Sequence, residues 1–268
     1  MGNYKMICLD IDGTLLNSQH MITEKTKEAV SLAANEKAIP VILVSARMPK
    51  GILFLQEELG ITQPIICYSG SMIMDKDGSI LLKKAIQVSS TKKICEAAKT
   101  SKLHVSLYKD DEWYIEALDP WAQQESDITG ITPVVTRFEK LFESWEKEGT
   151  GPNKILIMAE PHEITLLKEN LTDDSLNIYR SKTTYLEIMS KEASKTSAID
   201  FLRKRFDVQV PEIIAMGDNY NDIDMIEYAG RGIAMGNAPD DVKIHADEVT
   251  LSNDEDGVSA AIIKHVLF

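Results

Sequence analysis

Two aspartates one residue apart, Asp10 and Asp12, follow a short apolar run near the start of the chain. The run Met6–Leu9 predicts a buried strand, which Gly13 then ends. Because residues i and i+2 of an extended chain point the same way, the two carboxylates can face one site at the strand's carboxyl end. Adjacent carboxylates repel each other unless a cation or a shared proton relieves them. The pair therefore indicates metal binding or acid–base chemistry, with a solvated turn as the alternative.

A second acidic cluster, Gly217-Asp218-Asn219-Tyr220-Asn221-Asp222, also follows a predicted strand. Gly217 permits a turn, and Asp218 and Asp222 fall on the loop and in the first turn of the next helix. Magnesium prefers hard oxygen ligands and keeps several waters, so a few carboxylates and one phosphate oxygen are enough to hold it. The alternative for Asp222 is a purely electrostatic preference for a helix N-terminus.

Two further strand-to-helix junctions carry groups that suit a phosphate. Ser45 and Arg47 come directly after a β-branched apolar run, and Ser45 offers a hydroxyl and nearby amides. Lys195 follows Ser194 at a predicted helix start, where the helix dipole disfavours a cation but would favour a bound phosphate. A turn serine and a solvated surface lysine are the alternatives.

The elements that position these residues alternate between strand-like and helix-like patterns, which predicts an α/β fold. In the first part of the chain we expect helices from Thr23 to Lys37 and from Pro49 to Gly60, strands over Ile39–Val44 and Pro64–Tyr68, and a hairpin around Asp75–Gly78. The pattern resumes late, with strands over Glu212–Met216, Gly232–Met235 and Glu248–Leu251, and helices over Ser194–Phe206, Asn221–Ala229, Ala238–Ala246 and Asp256–Phe268.

The middle of the chain has a different texture and predicts an inserted α+β domain. We expect helices there over Ser90–Thr100, Arg137–Glu148 and His162–Leu171, and strands over Leu103–Tyr108, Glu112–Ala117, Lys154–Met158 and Tyr185–Ile188. The predicted architecture is a doubly wound, mainly parallel core sheet built from residues 1–83 and 188–268, with a cap domain over residues 84–187.

The composition limits the possible partners. The net charge of −13 argues against nucleic acid, because a phosphate backbone requires a basic surface. No apolar stretch is long enough to span a bilayer, and the N-terminus has no signal-peptide apolar region, so we expect a cytoplasmic protein with no membrane partner. The three cysteines, Cys8, Cys67 and Cys95, are expected to be reduced thiols. The sequence leaves the oligomeric state open.

The four junctions, taken in chain order, resemble the motifs of the haloacid dehalogenase (HAD) superfamily. More narrowly, the chain is similar to the Cof-type hydrolases, in which a large α/β cap is inserted between the second and third motifs. The motifs are Asp10-Ile-Asp12-Gly-Thr-Leu-Leu16, then Ser45 with Arg47, then Lys195, then Gly217-Asp218 through Asn221-Asp222. The segments Ala234-Met-Gly-Asn237-Ala and Ser252-Asn253-Asp-Glu-Asp256-Gly257-Val are also of that type.

The resemblance implies a role for each residue. Asp10 would be the nucleophile that forms an aspartyl phosphate, and Asp12 would be the general acid and base. Magnesium would be held by Asp10, Asp218 and the backbone carbonyl of Asp12, with Asp222 supporting it directly or through water. Ser45, Arg47, Lys195 and Asn221 would bind the phosphate. The implied function is magnesium-dependent hydrolysis of small phosphomonoesters, with sugar phosphates as one candidate class.

Two departures from the family pattern and two rival functions remain at this point. The usual Thr-Gly-Arg is Ser45-Ala46-Arg47 here, and the usual Asn-Gly-Ala is Ser69-Gly70-Ser71. The rivals are a phosphomutase, which would return the phosphoryl group to a sugar, and a non-catalytic regulator that binds a phosphorylated metabolite. Neither the physiological substrate nor the cap residues that contact it can be read from the sequence.

Overall fold

The computed structural model describes residues 4–267, and these divide into two compact units. One unit holds the chain up to Arg47, Ile52–Leu81 and everything from Ser194 onward, and the second holds Met48–Gly51 and Leu82–Ala193. We expected the cap domain to end at residue 187, but the inserted unit extends to Ala193. The reason is that the strand Tyr185–Ser190 belongs to the sheet of the inserted unit. Within residues 4–267, no helix has the length and apolar character needed to cross a membrane.

The strands, in chain order, are β1 (Met6–Asp10), β2 (Val41–Val44), β3 (Ile65–Cys67), β4 (Met72–Met74), β5 (Ile80–Lys83), β6 (His104–Lys109), β7 (Glu112–Ile115), β8 (Val134–Val135), β9 (Lys154–Met158), β10 (Leu176–Lys182), β11 (Tyr185–Ser190), β12 (Ile213–Gly217), β13 (Arg231–Ala234) and β14 (Glu248–Val249). The α-helices are α1 (Glu24–Ser31), α2 (Lys50–Leu59), α3 (Val88–Thr100), α4 (Pro120–Thr129), α5 (Phe138–Glu148), α6 (Pro161–Asn170), α7 (Lys195–Arg205), α8 (Ile223–Tyr228), α9 (Asp240–Lys243) and α10 (Gly257–Ile262).

The first unit is built on a sheet with the order β14-β13-β12-β1-β2-β3-β4-β5. Its strands from β14 to β3 run parallel, and β4 turns back antiparallel to β3. The order reverses between β1 and β12, because the chain winds outward through β2 and β3 and later through β13 and β14. Such a reversal opens a crevice at the carboxyl ends of the strands, where ligands bind in open α/β sheets. This confirms the expected mainly parallel α/β core.

The central strands of this sheet are buried along their whole length, as expected for strands covered on both faces. Every residue of β1, β2 and β12 is buried. The helices begin at polar caps: Thr23 accepts a hydrogen bond at the start of α1, and Ser194 does so at the start of α7. Capping satisfies amide groups that the helix itself leaves unpaired. At α7, the Ser194 cap sets the start of the helix and so places Lys195 in its first turn.

The second unit is a six-stranded sheet with the order β10-β11-β9-β6-β7-β8. Its neighbouring strands are antiparallel, except that β7 and β8 run parallel. One face of this sheet buries an apolar core against helices, and that core includes Leu107, Ile155, Ile157 and Trp145. This is the expected α+β cap domain.

Three elements of the second unit were absent from the sequence prediction: α4, β8 and β10. Asp119 caps α4, with Pro120 at its first position and a left-handed Gly130 at its end, so the start and stop signals were present. The strand β10 lies at the edge of the sheet and ends in the exposed residues Ser181 and Lys182, so it shows no clean apolar alternation. Conversely, α9 spans only Asp240–Lys243 where we expected a helix over Ala238–Ala246. The last helix continues beyond α10 in π form to Leu267, and its expected end at Phe268 lies outside the described residues.

Candidate active site

A buried lysine joins two buried aspartates at the carboxyl edge of the core sheet. The Nζ atom of Lys195 lies 2.5 Å from Oδ1 of Asp10 and 2.5 Å from Oδ1 of Asp222. Asp10 is the last residue of β1, Lys195 is the first residue of α7, and Asp222 precedes α8. The exposed fractions are 6% for Asp10, 1% for Lys195 and 0% for Asp222. Three sequence-distant residues thus form one ion-paired group.

Burial and charge together determine the protonation of this group. Burial raises the pKa of Asp10, and repulsion from Asp222 raises it further, while Lys195 opposes the rise; the net pKa lies well above the ordinary value. Burial alone would lower the pKa of Lys195, but Asp10 and Asp222 outweigh it and raise that pKa. The two carboxylates therefore favour the charged form of Lys195.

Asp218 adds a third carboxylate from the loop after β12. Its Oδ1 accepts a hydrogen bond from the Thr14 hydroxyl at 2.8 Å. Burial, more than any other cause, raises the pKa of Asp218 to about 6. The backbone of Gly13 approaches this carboxylate closely: a Cβ atom at Gly13, where φ is +84°, would lie 2.3 Å from Oδ2 of Asp218. Only glycine therefore fits this turn.

Both oxygens of the buried Asp222 carboxylate contact protein groups. Its Oδ1 faces Lys195, and its Oδ2 accepts hydrogen bonds from the backbone amides of Asp218 and Asn219 at 3.1 and 3.0 Å. These bonds shape the loop that carries Asp218. Asp222 thus holds the loop and the lysine in place at the same time.

The donor set suits a divalent cation that prefers oxygen. Ligand atoms of Asp10, Asp218 and Asp222 all lie within 4.8 Å of one another. Three carboxylates at this spacing carry more negative charge than Lys195 offsets, and a metal ion would relieve the excess. Asp12 lies outside this three-residue group, and its side chain is 53% exposed.

The remaining predicted residues lie on neighbouring loops of the same unit. Ser45 is buried after β2, and its Oγ accepts a hydrogen bond from the Arg47 amide at 3.1 Å. Asn221 is exposed in a short 3-10 turn between β12 and α8. The Arg47 guanidinium donates to both carboxylate oxygens of Asp12, with Nε 2.9 Å from Oδ2 and Nη2 2.5 Å from Oδ1.

The sequence analysis assigned no role to two asparagines that bind the backbone of the loop carrying Asp12. Asn237 donates from Nδ2 to the carbonyl of Gly13 at 2.9 Å, and Asn253 donates from Nδ2 to the carbonyl of Leu16 at 2.9 Å. Asn253 also donates its amide to Oδ1 of Asn237 at 3.0 Å. Both asparagines lie in segments that resembled the family pattern, and that likeness was the available signal.

The chain matches one protein family, and a curated relative, over nearly its full length. The family model for haloacid dehalogenase-like hydrolases matches residues 7–262. Phosphatase YwpJ of Bacillus subtilis is 30% identical, over 98% of this chain and 100% of its own.

Solved structures extend the comparison to the fold. A haloacid dehalogenase-like hydrolase from Bacteroides thetaiotaomicron superposes with a TM-score of 0.88 at 31% identity, covering 99% of this chain and 100% of that one. A HAD subclass IIB sugar phosphatase superposes with a TM-score of 0.83 at 25% identity, covering 97% and 98%. The chain therefore belongs to the haloacid dehalogenase-like hydrolases of the Cof type, and it is a phosphatase of that superfamily.

Proposed function

We propose that the protein hydrolyses small phosphomonoesters with the help of Mg²⁺, through an aspartyl phosphate formed on Asp10. The observation that carries this proposal is the placement of Asp10 between a buried cation and two further carboxylates. Phosphoryl transfer depends mainly on positioning and charge neutralisation, and a carboxylate–metal–lysine arrangement supplies both.

Asp10 is the candidate nucleophile because it ends β1 with one carboxylate oxygen fixed by Lys195. An oriented carboxylate can attack phosphorus in line with the leaving oxygen, and the covalent intermediate divides one difficult step into two. Lys195 would also attract the equatorial oxygens of the transferring group, whose negative charge it offsets.

Asp12 is the candidate general acid and base. Its side chain is half exposed, so it can reach a leaving group and later a water molecule. In the first step it would protonate the departing oxygen, and in the second it would remove a proton from the water that attacks the aspartyl phosphate.

Asp10, Asp218 and the backbone carbonyl of Asp12 are the proposed ligands of the cation, which would neutralise the phosphate charge when bound. Asp222 would support these ligands, because both its oxygens already hold protein groups. Thr14 orients Asp218 through its hydroxyl.

Ser45, Lys195 and Asn221 are the proposed phosphate ligands. Ser45 brings a hydroxyl and the amides of its turn, and Asn221 brings a side chain at the exposed end of the β12 loop. That Arg47 also binds phosphate stays a prediction from the sequence.

The proposed substrates are small phosphorylated metabolites, with sugar phosphates as the first class to test. A sugar phosphatase of the same fold supports this choice, and the net charge of −13 argues against nucleic acid. The cytoplasm is the proposed compartment, since it holds such metabolites and keeps thiols such as those of Cys8 and Cys67 reduced.

The test is a screen of phosphorylated metabolites by phosphate release, with the wild type and Asp10→Asn side by side. Asp10→Asn keeps the shape of the side chain but removes the attacking charge, so turnover should fall by several orders of magnitude. Near wild-type turnover in Asp10→Asn would overturn the aspartyl-phosphate mechanism. Phosphoryl transfer between sugars with little phosphate release would identify a mutase, and binding without turnover would identify a regulator.

A further inference from the structure

The salt bridge between Arg47 and Asp12 has two contact points, so it sets the orientation of the Asp12 carboxylate as well as its position. Two nitrogens of one planar guanidinium each donate to a different oxygen of Asp12, at 2.9 and 2.5 Å. Such two-point pairing restricts rotation of the carboxylate as well as its position. The side chain of Asp12 is 53% exposed and that of Arg47 is 27% exposed, so water would otherwise leave the carboxylate free to rotate.

The backbone that carries Arg47 is itself anchored. The amide of Tyr68 donates to the Arg47 carbonyl at 3.0 Å, and the amide of Ser69 donates to the Ser45 carbonyl at 2.8 Å. Tyr68 and Ser69 hold left-handed backbone angles, with φ of +51° and +50°, which side chains of their kind rarely adopt. Strained residues of this sort persist only where the surroundings hold them, and they cluster at functional sites.

The turn Tyr68–Gly70, which holds the Arg47 backbone, is itself closely packed against the start of α7. A Cβ atom at Gly70, where φ is +97°, would lie 2.0 Å from the carbonyl oxygen of Ser194. The Arg47 loop is thereby set in a fixed position relative to the residue that precedes Lys195.

We infer that Arg47 is a positioning residue for Asp12: it holds the carboxylate in the orientation that proton transfer requires. The inference rests on the proposed function, in which Asp12 is the general acid and base. Each oxygen of Asp12 takes one N–H from Arg47 and keeps a second lone pair. In the first step that position would carry the proton that passes to the leaving oxygen, and in the second it would accept a proton from the attacking water. General acid–base catalysis depends on this kind of alignment. The inference differs from the sequence prediction that Arg47 binds phosphate, and the two can be separated.

The experiment compares Arg47→Gln, Asp12→Asn and the double variant with the wild type. Single-turnover rates would be measured on p-nitrophenyl phosphate, whose phenolate leaves easily, and on glucose 6-phosphate, whose alkoxide needs protonation. The dissociation constant of inorganic phosphate would be measured on each variant. Arg205→Gln, an exposed arginine with one long contact to Asp75, is the matched control.

If Arg47 positions Asp12, Arg47→Gln should slow the sugar phosphate about 10–100-fold and p-nitrophenyl phosphate much less. The affinity of Arg47→Gln for inorganic phosphate should stay within about 2-fold of the wild-type value. In the Asp12→Asn background, Arg47→Gln should cause almost no further loss of rate. Arg47→Lys keeps the charge without the planar geometry, so it should restore only part of the sugar phosphate rate. If Arg47→Gln has a lower melting temperature than the wild type, Arg47→Lys provides the rate comparison in its place.

Equal losses on both substrates with weakened phosphate binding would overturn the inference and assign Arg47 to the phosphate. Additive losses in the double variant would also overturn it. If Asp12→Asn itself shows no leaving-group dependence, or if the wild type releases no phosphate from either ester, the proposed function fails rather than the positioning role alone.

Discussion

The Nζ atom of Lys195 lies 2.5 Å from Oδ1 of Asp10, although the two residues are 185 positions apart in the chain. The same atom contacts Asp222, so one cation compensates two buried carboxylates. Removing one partner of a buried ion pair leaves an uncompensated charge, which usually costs more than the pair contributes.

Lys195→Met should therefore abolish turnover and also destabilise the fold at neutral pH. We expect a loss on the order of 3–5 kcal/mol in the free energy of unfolding, measured with urea in the presence of a chelator. Added Mg²⁺ should recover part of that loss, because the cation would compensate the same carboxylates. Lys76→Met, an exposed lysine of the same unit, is the control. A loss of activity with unchanged stability would show that Lys195 is not needed to offset the buried charge.

Metal removal should stop the reaction. Three carboxylates within 4.8 Å of one another repel, so a bound divalent cation should both restore turnover and raise the melting temperature by mass action. The measurement is activity and thermal melting after chelation, followed by titration with Mg²⁺. Asp218→Asn should lose most of the Mg²⁺-dependent rise in melting temperature. Full activity after exhaustive chelation would contradict the proposed role of the cation.

The pKa of Asp218, raised to about 6 chiefly by burial, makes the stability of the metal-free protein depend on pH. Between its ordinary pKa near 4 and about 6, the folded protein binds more protons than the unfolded chain. Stability should fall as pH rises through this window, and the penalty should be complete above it. Asp218→Asn should be more stable than the wild type at pH 7.5 by roughly 1–3 kcal/mol, and should show little gain at pH 4.

That comparison uses urea unfolding with chelator present at both pH values. The asparagine carbonyl can still accept the hydrogen bond from Thr14, so the change mainly removes charge. An equal gain at both pH values would mean that the effect is not electrostatic.

Asn237→Ala should loosen the loop that carries Asp12 without removing any group proposed to react. It deletes the bond from Nδ2 to the Gly13 carbonyl and leaves the Asn253 amide without its acceptor. We expect a stability loss of about 0.5–1.5 kcal/mol and a kcat several-fold lower with little change in phosphate affinity. Asn170→Ala, which deletes a comparable side-chain bond to the backbone within α6, should leave kcat unchanged. A wild-type kcat for Asn237→Ala would show that this bond does not position the loop.

The positions of the acidic residues could be predicted because strand ends are local features. Apolar runs identified β1 and β12, glycines marked their ends, and parallel strands bring such ends to one edge of a sheet. The same reasoning could not pair Lys195 with Asp10 and Asp222 in particular, because side-chain pairing depends on tertiary packing. The resemblance to a family placed these residues in one site, with Lys195 as a phosphate ligand, but it did not predict the ion pairs of Lys195.

The Arg47–Asp12 salt bridge is a contact that the sequence motifs did not predict. The two residues are 35 positions apart, and nothing in either motif indicates a two-point salt bridge between them. Thr14 was similarly passed over, since a hydroxyl in a turn has many possible partners and only the fold selects Asp218. Residues that position other residues have weaker sequence signals than residues that react.

The order of strands in the core sheet also has a consequence for synthesis on the ribosome. β1 lies between β2 and β12, and its partner β12 begins only at Ile213. While the intervening residues are being made, one edge of a fully buried strand has no native neighbour, and such edges invite wrong pairing. The second unit, whose strands lie between residues 104 and 190, has all its sheet partners by then and can fold before β12 emerges. A nascent chain halted before β12 should therefore be captured by chaperones, whereas one halted after β14 should escape them.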